Sequence, residues 1–266
     1  MIHPTAIIHP EAQVDPSAEI GPYVIIDGPA KVGAGVKLEA HAQLVGDVTI
    51  GSGTTIGRAA IIGCDPQDLA FQPSTPSSVV IGEGNVIREQ VTIHRGSKAG
   101  AVTRVGDKNF IMATVHFAHD VQIGNNNVIA NAALFAGHVQ MGNNCVIGGG
   151  SVFHQFLRVG SYCVAQGNGS FSKDIPPYCC AVLFNRLTGL NVIGLRRAGF
   201  NAGDRAKLKS LFDLVFRSGL NLTQARAEIA QQEWPAHGQN FIDFLNGPSR
   251  KGICRPRSRH ESDDEE

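Results

Sequence analysis

No stretch of the chain approaches the roughly 18 uninterrupted apolar residues of a membrane-spanning helix, so no span is expected. An excess of either charge is missing as well. The 23 basic side chains offset 23 acidic ones, which excludes a dedicated nucleic-acid or membrane-surface binder, because such proteins need a basic surplus. The opening residues MIHPTAIIHP have neither a basic start nor a long apolar core, so no secretory signal is expected there. Charged residues are scarce at 17% beside 42% hydrophobic ones, a balance too apolar for general disorder and sufficient for a core. The six Cys include no CxxC pair, so a disulfide framework is not expected and a reducing cytoplasm fits. Glycine is plentiful: 31 residues with no collagen period, which in a β-branched background points to many tight turns and therefore to a repeat.

The repeat has a period of six. From Ile2 the chain reads IHPTAI, IHPEAQ, VDPSAE, IGPYVI and onward to IGCDPQ, each unit opening on Ile, Val or Leu. The frame lapses at residues 68–80 and returns at Ile81. Residues 99–104 make a degenerate unit that keeps the phase, and from Val105 to Pro176 every sixth residue is again apolar. Six fits neither a 3.6-residue helix nor a hairpin array. It fits short strands with alternate residues inward, joined by small-residue corners, three hexads closing a triangular coil of 18. The expected fold is therefore a mainly β hexapeptide parallel β-helix over residues 1–190, interrupted by an excursion loop at 68–80.

Past residue 191 the apolar spacing becomes helical. Residues 204–219 place Leu208, Leu211, Phe212 and Val215 on one stripe, with Gly219 as the expected C-cap. A second helix is expected over 223–234 from an N-cap at Thr223, and a third over 239–245. Residues 191–247 thus form a small helical region. Residues 248–266, charged and interrupted by proline, read as a disordered tail.

Residues 18 apart should stack on one face. Phe117, Phe135, Phe153 and Phe171 have that spacing and predict an inward aromatic column. The hexads they open, FAHDVQ, FAGHVQ and FHQFLR, bring His119, His138, His154 and Gln155 to one face of three coils, with His116 just before it. Strand spacing of about 4.8 Å puts the group within roughly 10 Å along the axis. A single outward His is usually a solvated surface residue; four from ten on one face are harder to dismiss. A neutral imidazole suits a general base for a hydroxyl attacking an acyl group. Asp120 stands next to His119 to orient it. Gly137, one coil after His119, lets a backbone N–H approach an oxyanion. The alternative chemistry is three His binding zinc with one open position, as in hydratases on this type of helix. No spacing here is diagnostic of zinc. Among other features, Cys179 and Cys180 read as packing and Arg88–Glu89 as an ion pair. His94 and Arg95 are expected on a different face from His119, and the hexad at Ile81 on the same face as Phe117.

The run QDL (67–69), IRE (87–89), TIHRG (92–96), HFAHD (116–120), AGHV (136–139), DIPPY (174–178) and NVIGLRRAGF (191–200) closely resembles the acyl-(acyl-carrier-protein)–UDP-N-acetylglucosamine O-acyltransferase family of lipid A synthesis. The resemblance covers roughly residues 1–245. It implies a left-handed coil, a cytoplasmic homotrimer with sites between subunits, acyl carrier protein and UDP-N-acetylglucosamine as partners, and no metal or cofactor. By residue, it implies His119 as the base, Gly137 as the oxyanion donor, and Asp68, His116, His138, His154 and Gln155 as substrate contacts. Asn191 and Arg197 match positions near the nucleotide phosphates and the carrier. Gly167 matches the position where the family measures acyl length. The chain departs from the family at Ala70, at Ala198, at Ile193 and in the segment VLFNR (182–186). These departures leave the acceptor open between UDP-N-acetylglucosamine and another nucleotide sugar such as a 3-amino analogue.

Overall fold

The computed structural model describes residues 1–257; the remainder of the expected tail, 258–266, lies outside the described residues. The hexads form strands of two to four residues in three sheets, of nine, eight and eleven strands, parallel throughout except for the hairpin that closes the eleven-stranded one. We call them faces I, II and III. Face I runs from Ile7–Ile8 to Ser170–Phe171, face II from Gln13–Val14 to Arg158–Val159, and face III begins at Glu19–Ile20. Successive strands of a face follow one another at the expected coil period, as in Ile7↔Ile25 and Phe117↔Phe135. The result is a left-handed, three-sided parallel β-helix.

The corners explain why the sequence tolerates so sharp a coil. Each coil turns through residues with positive φ, and these recur in columns: Asp120, His138 and Phe156 on one edge, Lys108, Asn126, Asn144 and Tyr162 on another, Thr114, Ala132 and Asn168 on the third. Left-handed backbone at a non-glycine residue costs about 1 kcal/mol or more, so these corners persist because the strands on either side are locked by their ladders. The apolar first residue of each hexad fills the interior. Phe117, Phe135, Phe153 and Phe171 form the expected inward column, with ring centroids 5.1, 4.6 and 5.3 Å apart. On the edge between faces II and III, Asn85, Asn109 and Asn127 point inward and bond to one another up the axis, each supplying a carbonyl to the next backbone N–H.

Two insertions break the coil period. Across the first, Ile61 pairs with Thr92, well beyond the residue one coil on. The excursion therefore ends before the strand Ser78–Ile81, earlier than the expected residue 80. Across the second, Thr92 pairs with His116, one hexad later than the coil period would place its partner. The unit expected to keep the phase at 99–104 keeps the six-residue beat, but one hexad's worth of chain is extruded as a short loop ahead of the strand Val102–Val105. That extrusion corrects two expectations. Ile81 lies on face II against Ile50 and Val105, not below Phe117. Ile93 lies below Phe117 instead, so His94 shares the histidine face.

The coil ends in an antiparallel hairpin, Cys179–Val182 with Arg186–Leu190. Four helices follow: α1 (Val192–Arg197), α2 (Ala202–Phe216), α3 (Leu222–Ile229) and α4 (Ala236–Asn246). Helix α2 buries Leu208, Leu211, Phe212 and Val215 as its spacing predicts. It stops at Phe216, short of the expected Gly219 cap. Helix α3 starts at Leu222, ahead of the expected cap, because Asn221 and Gln224 form a reciprocal capping box that takes the role assigned to Thr223. It ends at Ile229, whose carbonyl accepts from the Trp234 indole. Residues 248–257 correct the expectation of a tail: Arg255–Pro256 adds a parallel strand beside Arg186 and Leu187, and Cys254 is fully buried. All six cysteines are free, and burial pushes the Cys179 thiol well up, which suits packing and not chemistry.

Candidate functional site

The edge where face I turns into face II carries almost everything the histidine pattern points to. His119 and Asp120 follow the strand His116–Phe117, Gly137 and His138 follow Leu134–Phe135, and Gln155 and Phe156 follow Val152–Phe153. Both insertions leave the coil at this same edge, one and two coils below.

The His119 Nδ1 lies 2.8 Å from Asp120 Oδ2, and the same oxygen accepts from the Ser97 backbone N–H at 3.1 Å and lies 3.7 Å from His138 Nε2. Burial penalises the Asp120 charge. The hydrogen bonds from Ser97 and His119 and the nearby His138 outweigh it and hold the carboxyl below its ordinary range. A carboxylate at Nδ1 fixes the proton there and leaves Nε2 as the free acceptor. That Nε2 stands over Gly137: a Cβ built on Gly137 would lie 2.7 Å from it and 2.6 Å from Cε1. Gly137 is buried, and its N–H bonds to no acceptor among the described residues. A buried N–H without a partner is rare, and this one belongs to the residue against which the His119 ring lies.

His138 stacks on Phe156 with centroids 4.5 Å apart and meets His119 edge-on at 5.1 Å. Burial lowers its pKa, against the opposing pull of Asp120. His116 bonds through Nδ1 to Thr92 Oγ1 at 2.7 Å, and burial lowers its pKa too. His94 completes the row, edge-on to His116 at 4.9 Å. Burial, then the neighbouring His116 and His119, push its pKa down to about 4. The extruded hexad conceals His94 from any count in 18s. The one signal in the sequence is the degenerate unit at 99–104. Arg95, beside it, pins the excursion loop: Nε and Nη2 reach Asp65, Nη2 the Pro73 carbonyl, Nη1 the Thr75 carbonyl and Ser77 Oγ, and the guanidinium covers Phe71.

The other expected residues are exposed around this edge or lie away from it. Asp68 is exposed on the excursion loop, where its carboxylate accepts from the Ala70 N–H. His154 and Gln155 are exposed above the histidines. Gly167 is exposed on the edge between faces III and I. A Cβ there would sit 3.1 Å from the Gly149 carbonyl. Asn191 is not brought to the histidines. Its side chain accepts from Gly194 N as the α1 N-cap and donates to the Tyr162 carbonyl. Arg197 is exposed in the last turn of α1. As for metals, His119, Asp120 and His138 each offer a ligand atom within 4.8 Å of the others, a two-imidazole, one-carboxylate set. The three-His set suggested by the sequence does not form: His154 stands apart from that group, against Lys251. A concavity on face II lies between Arg104, Gln122, Gln140 and Phe244, and none of the expected site residues lines it.

A family model described as UDP N-acetylglucosamine O-acyltransferase, domain 2, matches residues 174–254, and one described as bacterial transferase hexapeptide (six repeats) matches 103–137. An acyl-(acyl-carrier-protein)–UDP-N-acetylglucosamine O-acyltransferase of Cupriavidus metallidurans is 49% identical over 208 residues, 74% of this chain and 77% of that one. One of Syntrophobacter fumaroxidans is 43% identical over 198 residues, covering 73% and 76%. The solved structure of a UDP-N-acetylglucosamine O-acyltransferase from Moraxella catarrhalis superposes with a TM-score of 0.91 at 39% identity, over 96% of this chain and 99% of that one. Among the described residues no helix is long and apolar enough to cross a membrane.

Proposed function

We propose that this chain, which belongs to the acyl-(acyl-carrier-protein)–UDP-N-acetylglucosamine O-acyltransferase family, moves an acyl group from acyl carrier protein to the 3-hydroxyl of UDP-N-acetylglucosamine, the first step of lipid A synthesis, in the cytoplasm. The observation that carries the reading is the corner itself: an imidazole held by a carboxylate against a glycine whose buried N–H is free. His119 Nε2 takes the proton of the sugar hydroxyl as its oxygen attacks the thioester carbonyl. The Gly137 N–H receives the negative charge that develops on the carbonyl oxygen. The attack forms the C–O bond; collapse of the tetrahedral intermediate re-forms the carbonyl, breaks the C–S bond, and returns the proton from His119 to the departing thiolate. Asp120 holds the ring tautomer and stabilises the imidazolium while it lasts. No Ser hydroxyl or Cys thiol bonds to the base among the described residues, so transfer is direct.

The site is completed by a second copy of the chain in a homotrimer. Two features support this. The histidine edge is one corner of the coil, while Gly167, Asn191 and Arg197 lie away from it. Face III also carries an outward apolar stripe, Val86, Phe110, Val128, Val146 and Val164, of which Val146 is 46% exposed. An unpartnered apolar stripe of this length marks an interface. In that arrangement Gly167 leaves room for the acyl chain, Arg197 meets the phosphates or the carrier, and Asp68 reaches the sugar from the excursion loop. Light scattering is expected to give three times the subunit mass, and co-assembled His119→Ala and Arg197→Ala subunits are expected to regain activity that neither has alone. A fully active monomer contradicts the shared site. A panel of nucleotide sugars, read by mass spectrometry, tests the acceptor: UDP-N-acetylglucosamine is expected to be acylated, and acylation of a 3-amino analogue alone would reassign it.

A further inference from the structure

Residues 248–257 form a strap that crosses the end of the coil and returns to the histidine edge. Asp174 anchors it twice: its N–H donates to the Gly252 carbonyl, and its own carbonyl accepts from the Cys254 N–H, both at 2.9 Å. The buried Cys254 and the added strand Arg255–Pro256 hold the far end. Gly252 has φ +78, a backbone that turns the chain at this point without strain.

Just before that turn, Arg250 and Lys251 lie against the site. The Arg250 guanidinium carbon is 3.7 Å from the centre of the Phe156 ring, the ring that stacks on His138. Lys251 Nζ is 3.1 Å from both ring nitrogens of His154. The charges of Lys98, on the extruded hexad, and of Arg250 both disfavour the charged form of His138. Neither Arg250 nor Lys251 forms an ion pair among the described residues, and Asp120, the carboxylate of this edge, already serves His119 and Ser97. Cations gathered on aromatic rings without a counter-ion suit an incoming anion, and a guanidinium fork beside an ammonium suits phosphate oxygens.

We propose that Arg250 and Lys251 form a phosphate-oxygen subsite at the rim of the His119 edge, delivered by the C-terminal strap. The inference rests on the acyl-transfer reading, because both substrates of that reaction carry phosphate: the acceptor its diphosphate, the carrier protein the phosphodiester of its thiol arm.

The test uses the full chain as wild type, as the double variant Arg250→Ala/Lys251→Ala, as Arg250→Lys, which keeps the charge but loses the fork, and as Arg104→Ala, which removes an exposed cation on face II. KM is measured for each substrate with the other saturating, beside calorimetric binding of UDP alone. The double variant is expected to raise one KM about tenfold or more, the usual scale of charge-assisted bonds, with kcat within about threefold and an unchanged melting temperature. A rise for the nucleotide sugar, with weaker UDP binding, assigns the diphosphate. A rise for the carrier thioester that persists with a protein-free acyl-phosphopantetheine assigns the thiol arm. Arg250→Lys is expected to fall between. KM values and UDP affinity within about twofold of an active wild type overturn the subsite, as does an equal rise from Arg104→Ala, which would show bulk charge only. An inactive wild type that still loses UDP affinity in the double variant would instead sink the acyl-transfer reading and keep the subsite.

Discussion

Replacing Gly137 by Ala is a one-methyl test of how the catalytic corner is built. The methyl would sit 2.6 Å from His119 Cε1, 2.7 Å from Nε2 and 3.2 Å from Nδ1, where ordinary contacts begin near 3.4 Å. Gly137 does not have positive φ, so the alanine brings no backbone strain and its N–H is retained. The ring has to give way by roughly 1 Å, and it is tethered at Nδ1 by Asp120, so the displacement falls on Nε2. Misplacing a catalytic group by about 1 Å costs on the order of 10²-fold. The expected result is a kcat lower by about that factor with the assembly intact and a stability loss within the roughly 1–3 kcal/mol of overpacking. Steady-state acyl transfer read by mass spectrometry, with thermal unfolding as the control, measures both. Turnover within threefold of wild type in a folded Gly137→Ala protein would refute the proposition that the imidazole works where it lies against this glycine.

Two further outcomes follow from the surroundings. Arg95→Ala removes the fork that ties Asp65, Pro73, Thr75 and Ser77 together. Thermal unfolding should show a loss of about 2–3 kcal/mol, with faster hydrogen exchange across residues 66–77 and no recovery in Arg95→Lys; unchanged exchange there would contradict the pinning role. The His94 pKa is depressed from 6.5 to about 4, so folding favours its neutral form. Its contribution is complete above pH 6.5 and is lost as pH falls towards 4. Denaturant unfolding at several pH values is expected to show that acid limb and a flatter one in His94→Phe; parallel limbs would show that His94 is not its source.

The coil was readable because a six-residue beat leaves no competing secondary structure, and the phenylalanine column and the edge holding His119, His138 and Gln155 follow from arithmetic in 18s. That arithmetic fails where a whole hexad is extruded. An insertion of six preserves the beat that the eye follows while rotating everything below it by one face, which misplaced Ile81 and His94. The strap at 248–257 was illegible for a different reason. Its order comes from a backbone ladder and from the buried Cys254, long-range contacts that leave no periodic trace in a charged, proline-interrupted segment. Asn221 displaced Thr223 as a cap because a two-way capping box outweighs a single hydroxyl. Asn191 shows the converse: a motif match locates a residue, but its amide is engaged at both ends within the fold.

The most direct measurement compares wild type with His119→Ala, each supplied with a 3-hydroxyacyl carrier thioester and UDP-N-acetylglucosamine and followed by mass spectrometry of the sugar nucleotide. Wild type is expected to yield the 3-O-acylated product, and His119→Ala to turn over about 10²–10⁴-fold more slowly with its assembly and melting temperature unchanged. Near-native turnover by His119→Ala, or loss of turnover in His116→Ala alone, would contradict the assignment of the base.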